Sequence, residues 1–388
     1  MSASMTPRER AMAALNHQEP DRVPIDLHAA AGDFITDIAY RNLLHHLGLA
    51  NRPTHVFRRS TQYPEVDEDI LRRFGVDFRR VDLGPPDRWA DRELPNDSYE
   101  DEWHIIRRRP PGGFYYDLIP EGSPLREVDT IAGLDRHPWP DPLDPGRFRG
   151  LRERARQLRE ESDYAVVLSL HCDFFSTAAE LRGWANFYAD LAGDPTFAGA
   201  LMDCCLDYYL PVARRGLEEA GEYADVVVCS RDDFGGMDRL LISPRTFDTL
   251  IKPRLRRVFD LFKQDTAAKR FLHCDGAIYP ILPALIELGV EALNPIQVSA
   301  AGMGDTKKLK AEFGDRLTFW GGIDTHDVLP YGTPEDVRRE VKRRIDDLGP
   351  GGGYVLCSVH SFQPDVPPQN IVAMFEAASQ YGRYPLKG

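Results

Sequence analysis

Eight short runs rich in aliphatic and β-branched residues recur along the chain, at residues 22–28, 76–82, 164–172, 224–230, 269–274, 290–294, 317–320 and 353–359. Most are apolar almost throughout, as in Val226-Val227-Val228 and Ala165-Val166-Val167-Leu168, the pattern of strands covered on both faces. Helical segments follow most of them, at about residues 177–192, 244–263, 281–288, 306–313, 334–348 and 368–381. This alternation predicts an α/β fold, a (β/α)8 TIM barrel whose functional site lies at the C-terminal strand ends. Helix starts are marked by Thr6-Pro7-Arg8-Glu9, Ser243-Pro244 and Thr333-Pro334-Glu335-Asp336, each a cap followed by proline. Residues 1–388 read as one barrel domain with an insertion at about 84–149, between strands two and three. Within it, residues 101–108 and 113–118 flank Pro110-Pro111-Gly112 and predict a β-hairpin subdomain packed on the barrel.

Composition narrows the classes of function. The chain has 48 basic and 61 acidic residues, a net charge of −13, which argues against a nucleic-acid binder or a polybasic membrane anchor. No apolar run approaches the roughly 20 residues of a spanning helix. The charged start at Arg8, Glu9 and Arg10 is unlike a secretory leader. Six cysteines in 388 residues do not make a disulfide scaffold, so a reducing cytoplasm is expected.

A barrel would gather the residues that end each strand: His28, Asp82, His171 with Asp173, Arg231-Asp232-Asp233, His273 with Asp275, Asn294 and Gln297, Asp324 with His326, and His360. The sharpest local element is His273-Cys274-Asp275-Gly276. Side chains alternate in an extended segment, so His273 and Asp275 face one way and Cys274 the other. His273 and Asp275, with His360 from strand eight, are candidate metal ligands that leave a position open for a substrate heteroatom. The same His and Asp can equally form a hydrogen-bonded pair without metal. Asp232 and Asp233 are candidates for positioning substrate or moving a proton, with His171 and His326 as helpers. Phe174, Phe175, Trp184, Tyr188 and Phe234 are candidate pocket aromatics. No glycine-rich nucleotide fingerprint is present. Asp26-Leu27-His28 up to Gly32 only nearly spells a cobalamin-binding D-x-H-x-x-G, with the glycine one residue late.

Longer motifs carry a resemblance. Thr6-Pro7-Arg8-Glu9-Arg10, Pro20-Asp21-Arg22-Val23-Pro24, Leu181-Arg182-Gly183, Asp232-Asp233-Phe234-Gly235, Leu241-Ile242-Ser243-Pro244, His273 to Gly276, Asn294-Pro295-Ile296-Gln297 and Trp320-Gly321-Gly322-Ile323-Asp324 resemble the uroporphyrinogen decarboxylase superfamily. They are most similar to the branch that groups with cobalamin-dependent methyltransferases. The resemblance implies a (β/α)8 barrel. It also implies zinc held by a His-x-Cys element after strand five and a Cys after strand eight. Here His273 matches the His, and Asp275 and His360 stand where the cysteines would be. That donor set is harder than a thiolate site and suits a Lewis acid acting on an ether oxygen or amine. True decarboxylases of the family carry an Arg-Gln-Ala-Gly-Arg segment after strand one. This chain has His28-Ala29-Ala30-Ala31-Gly32 there, which argues against porphyrinogen decarboxylation.

The first expectation is therefore an enzyme, a methyltransferase or demethylase. It would move a methyl group from a small O- or N-methyl substrate to a corrinoid carried on a separate partner protein, with zinc as Lewis acid. The second is a decarboxylase or other lyase acting on a small carboxylic acid or tetrapyrrole, for which Arg231 is the one evident strand-end cation. The third is a binding protein on a retained barrel. A homodimer would fit the wider family.

Overall fold

The computed structural model describes residues 4–386, so the first three residues of the N-terminal segment read above lie outside it. Seven parallel strands form one curved sheet in chain order: Phe78–Asp82, Ala165–Ser169, Val226–Ser230, Lys269–His273, Ala292–Asn294, Thr318–Trp320 and Tyr354–Val355. The remaining predicted strand, residues 22–28, closes the gap between the sheet's edges without becoming a regular strand. Asp77 N–H donates to Ile25 O on one side, while Asp26 N–H donates to Leu356 O and Leu356 N–H to Pro24 O on the other, each at 2.9 Å. Pro24 has no N–H to continue the ladder. The fold is the expected TIM-barrel-like α/β architecture.

Alternation along the strands sorts the core into two layers. Val226, Val228, Phe271, Ala292 and Trp320 pack inside the barrel, whereas Val227, Cys229, Leu272 and Leu293 pack outward against the helices. The alternation continues past strand five: Cys274 joins the outer layer, and His273 and Asp275 lie together within 3.4 Å. At the opposite end of the barrel, buried Asp77 accepts from Arg10 (2.6 Å), Arg22 (2.8 Å) and the amide of Ile25 (2.8 Å). That network joins the N-terminal helix, Pro7–Leu15, to the closing segment.

Thr6 and Thr333 both form reciprocal capping boxes with proline at the first helical position, as expected. The segment predicted as one helix over 177–192 is two, Phe174–Arg182 and Trp184–Gly193, broken at Gly183. The insertion also differs from the expected single hairpin. It is a four-stranded antiparallel sheet of Arg92–Leu94, Ser98–Glu100, Ile106–Arg108 and Asp117–Leu118. Residues 101–105 form the connection that Asp101 holds by accepting from the amides of Trp103 and Ile105. Tyr116 of the insertion donates its amide to Ser60 O at 2.9 Å, which draws the insertion over the C-terminal strand ends.

Candidate active site at the C-terminal strand ends

A cavity of about 440 Å³ opens at this end of the barrel, and His273, His360, Asp173, Arg231, Arg58 and Arg107 are among its walls. Its size suits a small organic ligand.

Strand five places His273 at the centre. The Asn294 amide is oriented by its Nδ2–H, which donates to Trp320 O at 3.1 Å, so Oδ1 faces His273 and accepts from Nδ1–H at 2.7 Å. This fixes the tautomer and leaves Nε2 aimed at Asp275 Oδ2 (3.4 Å) and Asp233 Oδ1 (4.0 Å). Asp233 is itself held by the Asp275 amide at 2.7 Å. One ligand atom from each of Asp233, His273 and Asp275 lies within 4.8 Å of the others. His360 reaches in from strand eight, with Nε2 3.9 Å from Asp275 Oδ2.

Burial disfavours charge on His273, but Asp275, Asp233 and the Asn294 acceptor outweigh it and raise the imidazole to about 9. Burial opposes ionisation of Asp275 too, yet His273 and His360 hold it below the usual carboxylate range. Asp233 goes the other way: burial and Asp275 push it up to about 6 against the pull of His273.

The backbone around this cluster has little room. Gly32 has φ +78°, and a Cβ there would sit 2.6 Å from His273 Cε1. Gly276, at φ +94°, passes so close to Gly235 that a Cβ would fall 2.3 Å from its carbonyl carbon. Both sites need glycine for sterics and for the left-handed backbone.

The donor set can be tested for metal. Asp275 Oδ1 is buried without a hydrogen-bond partner. The accessible atoms are two imidazole nitrogens and carboxylate oxygens, and one imidazole is oriented through its other nitrogen, as in metal-bound histidines. Such a set fits zinc with an open coordination position. His273, Asp275 and Asp233 make the tightest group, and His360 lies slightly apart.

The other predicted residues part company. Asp232 is wholly buried and accepts from the amides of Phe175 (3.1 Å) and Ser176 (2.8 Å), holding the start of the helix Phe174–Arg182. Burial and the charge of Asp173 push it up to about 8. It lies outside the group formed by Asp233, His273 and Asp275. His171 Nδ1 lies 2.8 Å from Asp173 Oδ2 and 2.9 Å from Arg231, behind two residues that line the cavity. His326 is exposed and pairs with Ser299 Oγ at 2.7 Å.

His28 turns away from the cluster. It lines a separate cavity of about 720 Å³ that includes strand two and the helix Leu151–Glu161. Phe174, Phe175 and Phe234 are fully buried core, not pocket walls. The aromatics that do line the cavity are Phe34, Tyr63, Tyr115 and Tyr116. Sequence reasoning also missed Arg58 and Arg107, which enter from the ribbon Val56–Arg58 and from the insertion. Strands of three residues are too short for any period to show their direction.

The uroporphyrinogen decarboxylase (URO-D) family model matches residues 119–381. The chain belongs to this family. Among its relatives, a uroporphyrinogen decarboxylase of Alkalilimnicola ehrlichii is 23% identical over 97% of this chain and 95% of its own. The methylated-thiol–coenzyme M methyltransferase of Methanosarcina mazei is 24% identical over 53% of each chain. Among solved structures, a methyltransferase from Methanosarcina mazei superposes with a TM-score of 0.62 and 20% identity, covering 97% of this chain and 99% of that one. No helix among the described residues is long and apolar enough to cross a membrane.

Proposed function

We propose that this chain is a methyltransferase or demethylase that takes a methyl group from a small O- or N-methylated substrate. The acceptor would be a corrinoid carried on a separate protein. The observation that carries the reading is the orientation of His273: Asn294 holds Nδ1–H, so Nε2 faces the carboxylates of Asp275 and Asp233 at the mouth of a cavity. The methyltransferase among the relatives supports the reaction class. His273, Asp275 and His360 would hold a zinc-type metal, with Asp233 as a further oxygen donor. Such a metal, when bound, supplies Lewis acidity to the heteroatom that loses the methyl group.

The chain's own residues do the rest. Asn294 keeps His273 in one tautomer, and Gly32 leaves the imidazole its space. Asp233, held by the Asp275 amide at 2.7 Å, keeps its carboxylate beside His273, where it would help to position the substrate heteroatom. Arg231, tied to Asp173 at 2.8 Å, makes a fixed polar wall that orients substrate. The insertion, through Arg107, Tyr115 and Tyr116, supplies one wall of the cavity.

The test is an assay of the zinc-loaded protein with a reduced corrinoid protein and a panel of O-methyl and N-methyl compounds, read by mass spectrometry. Demethylated product that depends on both the corrinoid and His273 is expected. A second reading, a decarboxylase or other lyase acting on a small carboxylic acid, is favoured by one finding: three arginines line the cavity where the sequence pointed to one. Carbon dioxide released from such an acid, with its methyl group intact, would establish that reading instead.

A further inference from the structure

The cavity's arginines are not equivalent. Arg231 is bound by Asp173 through Nε (3.1 Å) and a terminal nitrogen (2.8 Å). Arg107 is bound by Glu180 through both terminal nitrogens, at 3.1 and 2.7 Å. The Arg58 guanidinium forms no ion pair and no hydrogen bond among the described residues, although Arg58 lines the same cavity. Its neighbours are the faces of Phe34, Phe57 and Tyr63, with ring centres 5.5, 5.9 and 5.9 Å from the guanidinium carbon. Burial, then the like charges of Arg231 and Arg80, pull its pKa down.

Unpaired charge in such surroundings is costly. Aromatic faces hold the flat faces of a guanidinium but leave its N–H edges unused. A counter-charge that arrives with a ligand would satisfy the guanidinium. The N–H fork matches a planar carboxylate, two oxygens against two donors. A phosphate dianion would call for more than one free cation, and Arg107 and Arg231 are already committed.

We infer that Arg58 is the carboxylate-binding residue of the substrate site, so that the substrate is a small carboxylic acid carrying its methylated oxygen or nitrogen at the end that faces His273 and His360. This rests on the methyl-transfer reading for the identity of the far end, but not for the anion subsite. Arg58 lies outside the segment after strand one where the family's decarboxylases carry their arginines, so the subsite would be this chain's own.

The test is calorimetric binding of 3- and 4-methoxybenzoate and of the matching neutral methoxybenzamides to the wild type, Arg58→Gln and Arg58→Lys. In the wild type, at least one acid should bind ten-fold or more tighter than its amide. Arg58→Gln should abolish that preference and leave amide binding within about two-fold, while Arg58→Lys should keep part of it. The ligand-free Arg58→Gln protein should melt no lower than the wild type, because an uncompensated charge has been removed. A structural role for the guanidinium would lower its Tm.

Equal binding of acid and amide by the wild type, or a preference that survives in Arg58→Gln, overturns the inference. So does tighter binding of 4-methoxyphenyl phosphate than of either acid. An Arg58-dependent preference for acids none of which is demethylated would overturn the methyl-transfer reading while the anion subsite stands. Demethylation of neutral ethers with no preference for acids would do the reverse.

Discussion

His273 is positioned by contacts from three directions. Asn294 holds its Nδ1, Asp275 and Asp233 face its Nε2, and Gly32 lies against its ring. Removing the hydrogen bond by Asn294→Leu should leave the fold intact and weaken zinc binding by about 10- to 100-fold, the usual cost of losing a ligand's orienting partner, as read by competition with a chelator. Gly32→Ala should act the same way by pushing the imidazole aside, with the same readout. The alternation that put His273 and Asp275 on one side and Cys274 on the other was legible in the sequence, because it depends only on local extended geometry. The partnership with Asn294 was not, because it joins neighbouring strands through a side-chain amide whose orientation Trp320 O decides. Arg58 was invisible for a related reason: its environment is made by Phe34, Phe57 and Tyr63, which local pattern does not bring together.

Among the elements, the buried strands were the clearest. Runs such as Val226-Val227-Val228 are apolar on both faces because one face meets the barrel interior and the other the helices. The insertion was read poorly because its strands have two or three residues each. The turn Asn96-Asp97, with φ of 63° and 51°, is a hairpin signal of the sort that joins tightly paired strands, and it marks the pair the hairpin reading passed over. The closing segment at residues 22–28 depends on side chains as well as backbone. Asp77 binds Arg10, Arg22 and the amide of Ile25, so Asp77→Ala would leave the Arg22 guanidinium without its acid and the Ile25 amide without its acceptor, while Arg10 keeps Asp21. A loss of about 3–5 kcal/mol is expected, measured by urea unfolding; a change under about 1 kcal/mol would mean that the network does not hold the barrel closed. The insertion should respond to acid. Burial, and then His104, lower His137 to about 4, whereas the unfolded chain would titrate it near 6.5. Between those values the unfolded state binds more protons, so stability is intact above about pH 6.5 and falls as pH drops towards 4. His137→Phe should remove about 1–2 kcal/mol of the loss between pH 7 and pH 5, as read by the difference in Tm profiles.

Across the whole molecule, the order of strands and helices settled the fold, and the fold settled where chemistry could gather. Asp233, His273, Asp275 and His360 come from the ends of strands four, five and eight, yet they meet at one cavity beneath the insertion. The sequence could place each at a strand end, but only closure of the barrel decided that Asp233 joins the cluster while Asp232 and His28 turn away. In the proposed function this cluster is a metal site that prepares a substrate heteroatom to lose its methyl group. It is tested most directly by elemental analysis of the purified protein after zinc is added and excess removed, beside His273→Ala and His360→Ala variants shown to be folded by circular dichroism. Close to one zinc per wild-type chain, lost in both variants, is the predicted result. A wild type that retains no zinc, or variants that retain as much as the wild type, would contradict it.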